Sequence, residues 1–401
     1  MNILLLRQYN PYAENGASAN RFRGLVDGLC RQGHCVTIAV VGGVIQKNEN
    51  IIIKSSNKKL NFEYLSQSNH YGYMQRRLNG YLFDDTINLW IARRRLRRLL
   101  KQHYDVLWLT NNVTVLSLFL NCSKTIVGKT FIELNEFNDI YKEETGGNFL
   151  QRKKGAKSNQ IFLETIESID LFGVMTKTLI TYYKTMAKPE AKFMHLPMTV
   201  DLSRFADVAT TNDYKKPYIA FTGTMTNQKD GVDVLIKAFA KVADKHPAYQ
   251  LYLAGFWHYD VPTQMQLISE FGLQERIHYL GVLNRDQIPP FLCNAAVLAL
   301  SRPDSHQAQG GFPTKLGEYL ATGNPVCVTS VGEIPDYLKD NLSAFMARPG
   351  DVDSFADALD RALCDETNAK KVGVNGRKVA EECFNDEIQA KKLSEFLKEN
   401  L

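Results

Sequence analysis

The feature that most limits what this chain can fold into is an alternation. Short, almost wholly apolar runs recur, each followed by a longer segment of helical periodicity. The first run is ILLL at 3–6; an amphipathic stretch follows over 17–31, and Gly33-His34 then turns into a second run at 36–40. Further runs lie at 106–109, 125–132, 171–175 and 193–196. A strand exposed on one face shows alternating polarity, whereas a parallel strand covered by helices on both faces is apolar throughout. The runs therefore predict a parallel α/β sheet built from βαβ units.

The pattern stops and restarts. The stretch 207–217 is polar and contains Pro217, which predicts a linker. After it, apolar runs return at 218–222, 250–254, 277–280, 297–300, 325–328 and 344–347, with helical patterns between them, for example over 232–246 and 286–294. A last helix over 386–400 has no strand after it. The expected organisation is an N-terminal domain over 1–206, a linker over 207–217 and a second domain over 218–384. A C-terminal helix over 385–401 is expected to cross back to the first domain. The fold class is α/β, two doubly wound Rossmann-like domains facing across a cleft. A length of 401 residues, at about 150 per domain, agrees with two large domains. Sheets of this kind bind ligands at the carboxyl ends of their strands.

Composition narrows the class. With 44% hydrophobic and 23% charged residues the chain has globular usage. A net charge of +5 is too small to mark a nucleic-acid protein. The seven cysteines are scattered, with no CxxC pair and no Cys/His cluster of zinc spacing, which fits a reducing cytoplasm. The apolar run at the N-terminus is too short for a signal peptide, and nothing approaches a membrane span. The run at 3–6 is not followed by GxGxxG, and there is no GxxxxGK[ST] loop, HExxH or GxSxG elbow.

The stretch most charged with chemistry is 302–329, RPDSHQAQGGFPTKLGEYLATGNPVCVT, which follows the run VLAL. Gln309, Gly310 and Gly311 are expected to form a flexible turn. Pro313 suits the first turn of a helix, with Thr314 and Lys315 beside it and Glu318 a turn later. Free N–H groups and the helix dipole attract a phosphate there, and Lys315 adds charge. A carboxylate at Glu318 can accept both hydrogen bonds of a vicinal diol such as a ribose. A capped helix with Glu318 merely exposed explains the same residues.

This stretch resembles the donor-site signature of family 4 glycosyltransferases, which have the GT-B fold. Glu318, Ala321, Gly323, Pro325 and Val326 match its second half, in the branch that reads F-P-[ST]-K-x-x-E-Y. The family's first glutamate falls at Gly310, leaving Asp304, His306 or Gln309 as substitutes toward the sugar. Gly223-Thr224 with Lys229-Asp230-Gly231 resembles the block whose lysine contacts the donor diphosphate; Thr224 stands where an arginine is usual. The segment LPMTVDLSRF at 196–205 resembles the block leading out of the first domain, with Asp201 and Arg204 structural. Gly332-Glu333 resembles a G-x-x-E element. In the first domain, Gly16-Ala17 matches a glycine-bearing loop that lets backbone approach the sugar, and Gly33-His34 a structural turn. Glu133 and Glu136 occupy a loop where relatives carry a catalytic-region histidine or acid.

The resemblance implies a retaining hexosyltransferase using a nucleotide-diphosphate sugar as donor, with no metal or other cofactor. Its acceptor would be the hydroxyl of a glycan or lipid-linked glycan in bacterial surface polysaccharide assembly. The implied catalytic residues are Glu136, Lys229 and Glu318. The implied donor contacts are Gly16, Ala17, Gly223, Thr224, Lys229, Gly311, Phe312, Pro313, Thr314, Lys315 and Glu318. A nucleotide-sugar epimerase of the same fold, or a non-catalytic nucleotide- or carbohydrate-binding protein, are the alternatives. The run IARRRLRRLLK at 91–101 predicts a helix starting near Asp84 and Asp85, with a leucine stripe on one face and arginines on the other. That face either is solvated or meets an anionic membrane surface, which would make a cytoplasmic enzyme peripheral at the inner face. A second basic loop, mobile in expectation, is expected over 146–157.

Overall fold

In a computed structural model of the chain, the described residues are 1–12, 16–42, 59–65, 86–123, 128–138, 149–209, 214 and 217–401. They form two compact units, Met1–Leu196 with Gln389–Leu401, and Pro197–Ile388.

The first unit is a parallel sheet of seven strands among the described residues: β1 (Asn2–Arg7), β2 (Cys35–Val40), β3 (Leu60–Tyr64), β4 (Val106–Thr110), β5 (Lys129–Leu134), β6 (Leu171–Val174) and β7 (Lys192–His195). Their spatial order is β3-β2-β1-β4-β5-β6-β7. Leu5 of β1 sits beside Ile38 on one side and Trp108 on the other. The central strands are buried along nearly their whole length, which is why they read as unbroken apolar runs. Trp108 anchors the core between Phe22 and Phe131, at centroid distances of 5.5 and 5.4 Å. Winding reverses between β1 and β4, so the loops leaving those two strands diverge and open a crevice at their carboxyl ends.

The last helix, Asp386–Glu399, sends Ala390, Leu393 and Leu397 into this same core. His34 is fixed there too, its Nε2 lying 2.7 Å from Ser394 Oγ. Burial pushes the His34 imidazole down to about 4.

The second unit holds β8 (Tyr218–Thr222), β9 (Gln250–Ala254), β10 (Ile277–Gly281), β11 (Val297–Leu300), β12 (Val326–Thr329) and β13 (Phe345–Ala347). They are parallel and ordered β10-β9-β8-β11-β12-β13, so the reversal falls between β8 and β11. Leu298 pairs with Ala220, and Leu300 with Val328.

The two units part between Leu196 and Pro197, ahead of the polar 207–217 stretch, of which 210–213 and 215–216 lie outside the described residues. Residues 197–206 pack with the second unit: Val200 N donates to Phe384 O at 2.8 Å, and Asp386 N donates to Val200 O at 3.1 Å.

Several local expectations are corrected. The strand expected at 125–132 is β5, Lys129–Leu134. It continues past Ile132 into a charged residue because Glu133 is buried and paired with Arg21, a partner that an apolar-run criterion cannot see. β3 was not expected, since it alternates buried and exposed positions at the sheet edge. The expected basic loop at 146–157 is, from Phe149, the start of the helix Phe149–Ser168; 146–148 lie outside the described residues. Its single buried face, Ser158, Phe162, Thr165 and Ile166, is hidden among polar neighbours. The basic helix is Thr86–Leu99, while Asp84 and Asp85 lie outside the described residues. Ala92, Leu96 and Leu99 are buried as its apolar stripe.

Candidate active site

The site in the second unit grows from the loops that leave β8 and β11 on either side of the winding reversal. Gly223 ends β8 with φ +149, where its N–H donates to Ala254 O at 2.9 Å. A side chain there would collide with Lys315 Nζ, so only glycine admits the lysine to this point. Gly231, at φ +68, is the left-handed turn between the short helix Asn227–Asp230 and the helix Val232–Ala243. Its carbonyl accepts from Ser301 Oγ at 2.7 Å, and a Cβ would strike the Ser301 carbonyl. The β8 and β11 loops are therefore fastened together.

Three cations meet in this crevice. Lys315, in the first turn of the helix Thr314–Ala321, places Nζ 2.8 Å from Asp230 Oδ1 and 4.7 Å from the centre of the Phe221 ring. Burial pushes the Lys315 ammonium down; Asp230 opposes this, and the nearby charges of Arg302 and Lys229 push it down further. Arg302, buried at the end of β11, donates to Gln307 O at 3.4 Å, and its own carbonyl accepts from Thr329 Oγ1 at 2.6 Å. Lys229 is exposed, in the turn before Gly231. Lys315, Arg302 and Lys229 thus lie about Asp230. An anion brought beside Lys315 would favour its charged form against the desolvation.

Glu318 lies one turn beyond Lys315. Its Oε1 accepts from Arg204 Nη1 at 2.6 Å, and Arg204 Nη2 donates to Arg285 O at 3.2 Å. Arg204 reaches it from the 3₁₀ turn Leu202–Phe205, which Asp201 caps through a 3.1 Å bond from Ser203 N. Glu318 is therefore held in one orientation by a largely buried charge pair, and is not an isolated surface carboxylate. Tyr319 ties the same helix to the sheet: its hydroxyl accepts from Thr222 N at 2.7 Å, and burial pushes its ionisation up.

Other expected positions are redrawn. Phe312 turns its ring into the core against Tyr337 and Phe384, at 5.5 and 5.3 Å, so only its backbone remains for a ligand. Pro313 is the N-cap of the helix, extended at ψ 111, and not its first residue. Gln309 and Gly310 are no flexible turn but belong to the short helix His306–Gly310, capped by Ser305 Oγ, which accepts from Ala308 N at 3.1 Å. Gly310 and Gly311 are buried. Asp304 and Gln309 hydrogen-bond one another at 2.6 Å, and His306 is exposed beside them. Glu333 is buried ahead of the helix Ile334–Tyr337, next to Gly332. Thr224 is half-buried just past Gly223.

Gly16, Ala17 and Glu136 belong to the first unit. Gly16 precedes the helix Ala17–Arg31 and has open space where a side chain would stand. Glu136 follows β5, half-buried, and its backbone carbonyl accepts from Tyr183 OH at 2.6 Å. Glu133 is structural, since Arg21, its partner, also donates to Leu196 O at 2.8 Å.

Sequence reasoning gave no role to Arg302 or Asp230, although one lies two residues past the VLAL run and the other adjoins Lys229. It also passed over Phe256, Trp257 and Tyr259, which stand exposed in the loop after β9. That loop touches the loop after β8, with Met225 N donating to Phe256 O at 3.1 Å.

Residues 216–365 match the sequence profile of the group 1 glycosyl transferases. The chain is a glycosyltransferase, and its second unit resembles this group. An uncharacterised glycosyltransferase of Methanocaldococcus jannaschii is 24% identical over 383 residues, 91% of this chain and 90% of the relative. A GDP-mannose-dependent α-(1-6)-phosphatidylinositol monomannoside mannosyltransferase of Mycolicibacterium smegmatis is 25% identical, over 52% of this chain and 57% of that enzyme. In solved structures, the GT-B fold of this glycosyltransferase is shared with a sucrose-phosphate synthase from Thermosynechococcus elongatus. The TM-score is 0.75 at 17% identity, covering 99% of this chain and 98% of the other. HepE of Anabaena, solved with UDP and glucose, gives 0.72 at 14% identity over the whole of both chains.

Proposed function

We propose that this glycosyltransferase moves a hexose from a nucleoside-diphosphate sugar to a hydroxyl of a glycan or lipid-linked glycan, with retention at the anomeric carbon. The observation that carries this reading is the convergence of Lys229, Arg302 and Lys315 beside the open start of the helix Thr314–Ala321, with Glu318 one turn further along. Leaving-group departure in such a transfer puts negative charge on the diphosphate. Cations held in place beside the diphosphate stabilise that charge without reorganising. The backbone N–H groups of Thr314 and Lys315 add donors at the positive end of the helix. Glu318, oriented by Arg204, accepts the two hydroxyls of the ribose. No metal enters this assignment, because the side chains supply the countercharge.

Gly16 and Ala17 are assigned to backbone approach toward the sugar, and Glu136 to the reacting acceptor or the anomeric carbon. Gly16 and Ala17 open the helix that follows β1, and Glu136 lies just past the carboxyl end of β5. HepE, solved with UDP and glucose, and the GDP-mannose-dependent relative both support a nucleotide-linked hexose.

The acceptor is assigned to a membrane-carried glycan in surface polysaccharide assembly. Trp90, Arg94, Arg97 and Lys101 follow one another at helical spacing, and all four are exposed. A tryptophan among cations on one stripe suits an anionic interface. The relative whose name includes phosphatidylinositol points the same way. No helix among the described residues is long and apolar enough to cross a membrane, so attachment would be peripheral.

The test is sugar transfer from radiolabelled UDP-, GDP-, ADP- and CDP-sugars to a polyprenyl-linked glycan pool, with anomeric configuration read by NMR. Product carrying the donor's configuration is expected. Donor cleaved to free or epimerised sugar with no acceptor product would replace this reading with the epimerase. Nucleotide binding with no turnover would replace it with the binding protein.

A further inference from the structure

One cluster of the second unit takes no part in the donor site. His246, Asp360 and Cys364 bring three ligand atoms of different kinds together, all within 4.8 Å of one another. His246 Nε2 stands 2.7 Å from Asp360 Oδ1, Cys364 Sγ 3.4 Å from the same oxygen, and Sγ 3.9 Å from Nε2. We propose that these three side chains form a binding site for one zinc ion, or a related divalent transition metal, with water in the fourth position.

The geometry supports this. Zinc–ligand bonds of about 2.0–2.3 Å at tetrahedral angles separate the ligand atoms by about 3.3–3.6 Å. Two of the observed edges close or open by about half an ångström to reach those values, and the third lies within them. Asp360 and Cys364 stand four residues apart on the helix Val352–Cys364 and so share one face. His246 comes from beyond the end of the helix Val232–Ala243. Asp360 Oδ2 is engaged separately by Lys245 at 2.5 Å, which leaves Oδ1 directed at the other two groups. The Lys245 side chain is more than half exposed, free to swing away from a cation.

The electrostatics of the backbone agree. Lys241 pairs with Asp353 at 2.5 Å and Lys245 with Asp360 at the same distance, so the two helices run parallel. Both end at the cluster. Their negative dipole ends therefore meet where the cation would sit. Sulfur, nitrogen and oxygen together favour a borderline-soft ion over calcium or magnesium. On binding, the Cys364 thiol releases its proton to solvent and coordinates as thiolate; the imidazole binds neutral. The twelve-residue helix Val232–Ala243 spans about 18 Å. The ion would thus lie far from the Gly231 end and clamp a helix pair without touching the transfer chemistry. The spacing 246, 360, 364 matches no zinc signature, which is why the sequence conceals it.

The experiment titrates the full, chelator-treated chain with Co²⁺, watching the thiolate-to-cobalt charge-transfer band and the visible d–d bands. One equivalent is expected to saturate both, and Zn²⁺ to abolish them by displacement. Cys364→Ser and His246→Gln are expected to lose the charge-transfer band. Cys35→Ser, at another exposed cysteine, is expected to keep it. Zn²⁺ is expected to raise the Tm of the unsubstituted chain and of Cys35→Ser, and to leave that of Cys364→Ser unchanged. No band in the unsubstituted chain overturns the site. So does a band that persists in Cys364→Ser or disappears in Cys35→Ser.

Discussion

Each unit of this glycosyltransferase has a crevice at the reversal of its sheet, and the two crevices are furnished differently. In the first unit, the residues leaving β1 and β4 are joined by neutral groups. Asn112 Nδ2 donates to Gln8 Oε1 at 2.6 Å, while Asn112 Oδ1 accepts from Thr114 N and caps the next helix. Arg7, at the end of β1, is turned onto the Phe22 ring at 4.3 Å and Ser18 Oγ at 3.4 Å. In the second unit, Lys229, Arg302 and Lys315 gather about Asp230 and Gly223. One architecture thus carries neutral hydrogen-bonding groups at the reversal in one copy and clustered cations in the other. Chemistry here resides in a few loop residues at a shared topological position and not in the fold.

Breaking the charged crevice is expected to have the largest effect. Lys315→Ala or Arg302→Met should lower kcat about 10²-fold, the scale for losing one preorganised group that stabilises developing charge. A kcat within twofold of the parent enzyme would remove them from the site. Arg204→Met should weaken nucleotide binding by about tenfold through loss of the Glu318 orientation, worth about 1.4 kcal/mol. Glu318→Gln should do the same, and the double variant should be no worse than either single one if both act through one carboxylate.

The contrast sharpens with pH. Burial and two neighbouring cations hold the Lys315 ammonium below the ordinary lysine value. It is charged below its own pKa and neutral above. Donor affinity should therefore fall as pH rises, beginning before the usual lysine range near about 10.4. Calorimetric titration with a nucleoside diphosphate, compared between the parent chain and Lys315→Arg, reads this directly; a coincident decline in the two would assign the loss to another group.

The neutral crevice should respond in stability alone. Asn112→Ala removes a helix cap and should cost about 1 kcal/mol in urea unfolding, with nucleotide affinity unchanged. His34 gives the smallest signal. Its folded value of about 4 lies under the ordinary 6.5, so the fold favours the neutral ring. Stability is then complete above about 6.5 and declines as pH falls toward 4. His34→Gln should flatten that slope in urea midpoints measured across the window.

The doubly wound architecture was legible because parallel strands covered on both faces must be apolar throughout. Where a strand broke that rule, reading failed: β3 alternates at an edge, and β5 runs on through Glu133 because Arg21 neutralises it. The helix start at Thr314 was legible from F-P-T-K-L-G-E, since helix starts, glycines and lysines leave local signals. What stayed hidden was long-range. Arg204 is 114 residues from Glu318, and nothing in either segment announces the pair. Asp230 and Arg302 become a countercharge and a third cation only when β8 and β11 lie side by side. Phe312 looked like a contact from its place in the motif, yet its ring fills the core.

The central claim is that the crevice between β8 and β11 binds a nucleoside diphosphate through Lys315 and its neighbours. Thermal unfolding of the parent chain and Lys315→Ala, each with UDP, GDP, ADP and CDP, tests it most directly. The account predicts that one nucleotide stabilises the parent chain, by about 2.7 kcal/mol at a hundredfold excess over its Kd. It predicts that this gain is lost in a folded Lys315→Ala. Equal stabilisation of both proteins, or none of the parent chain by any of the four, would contradict it.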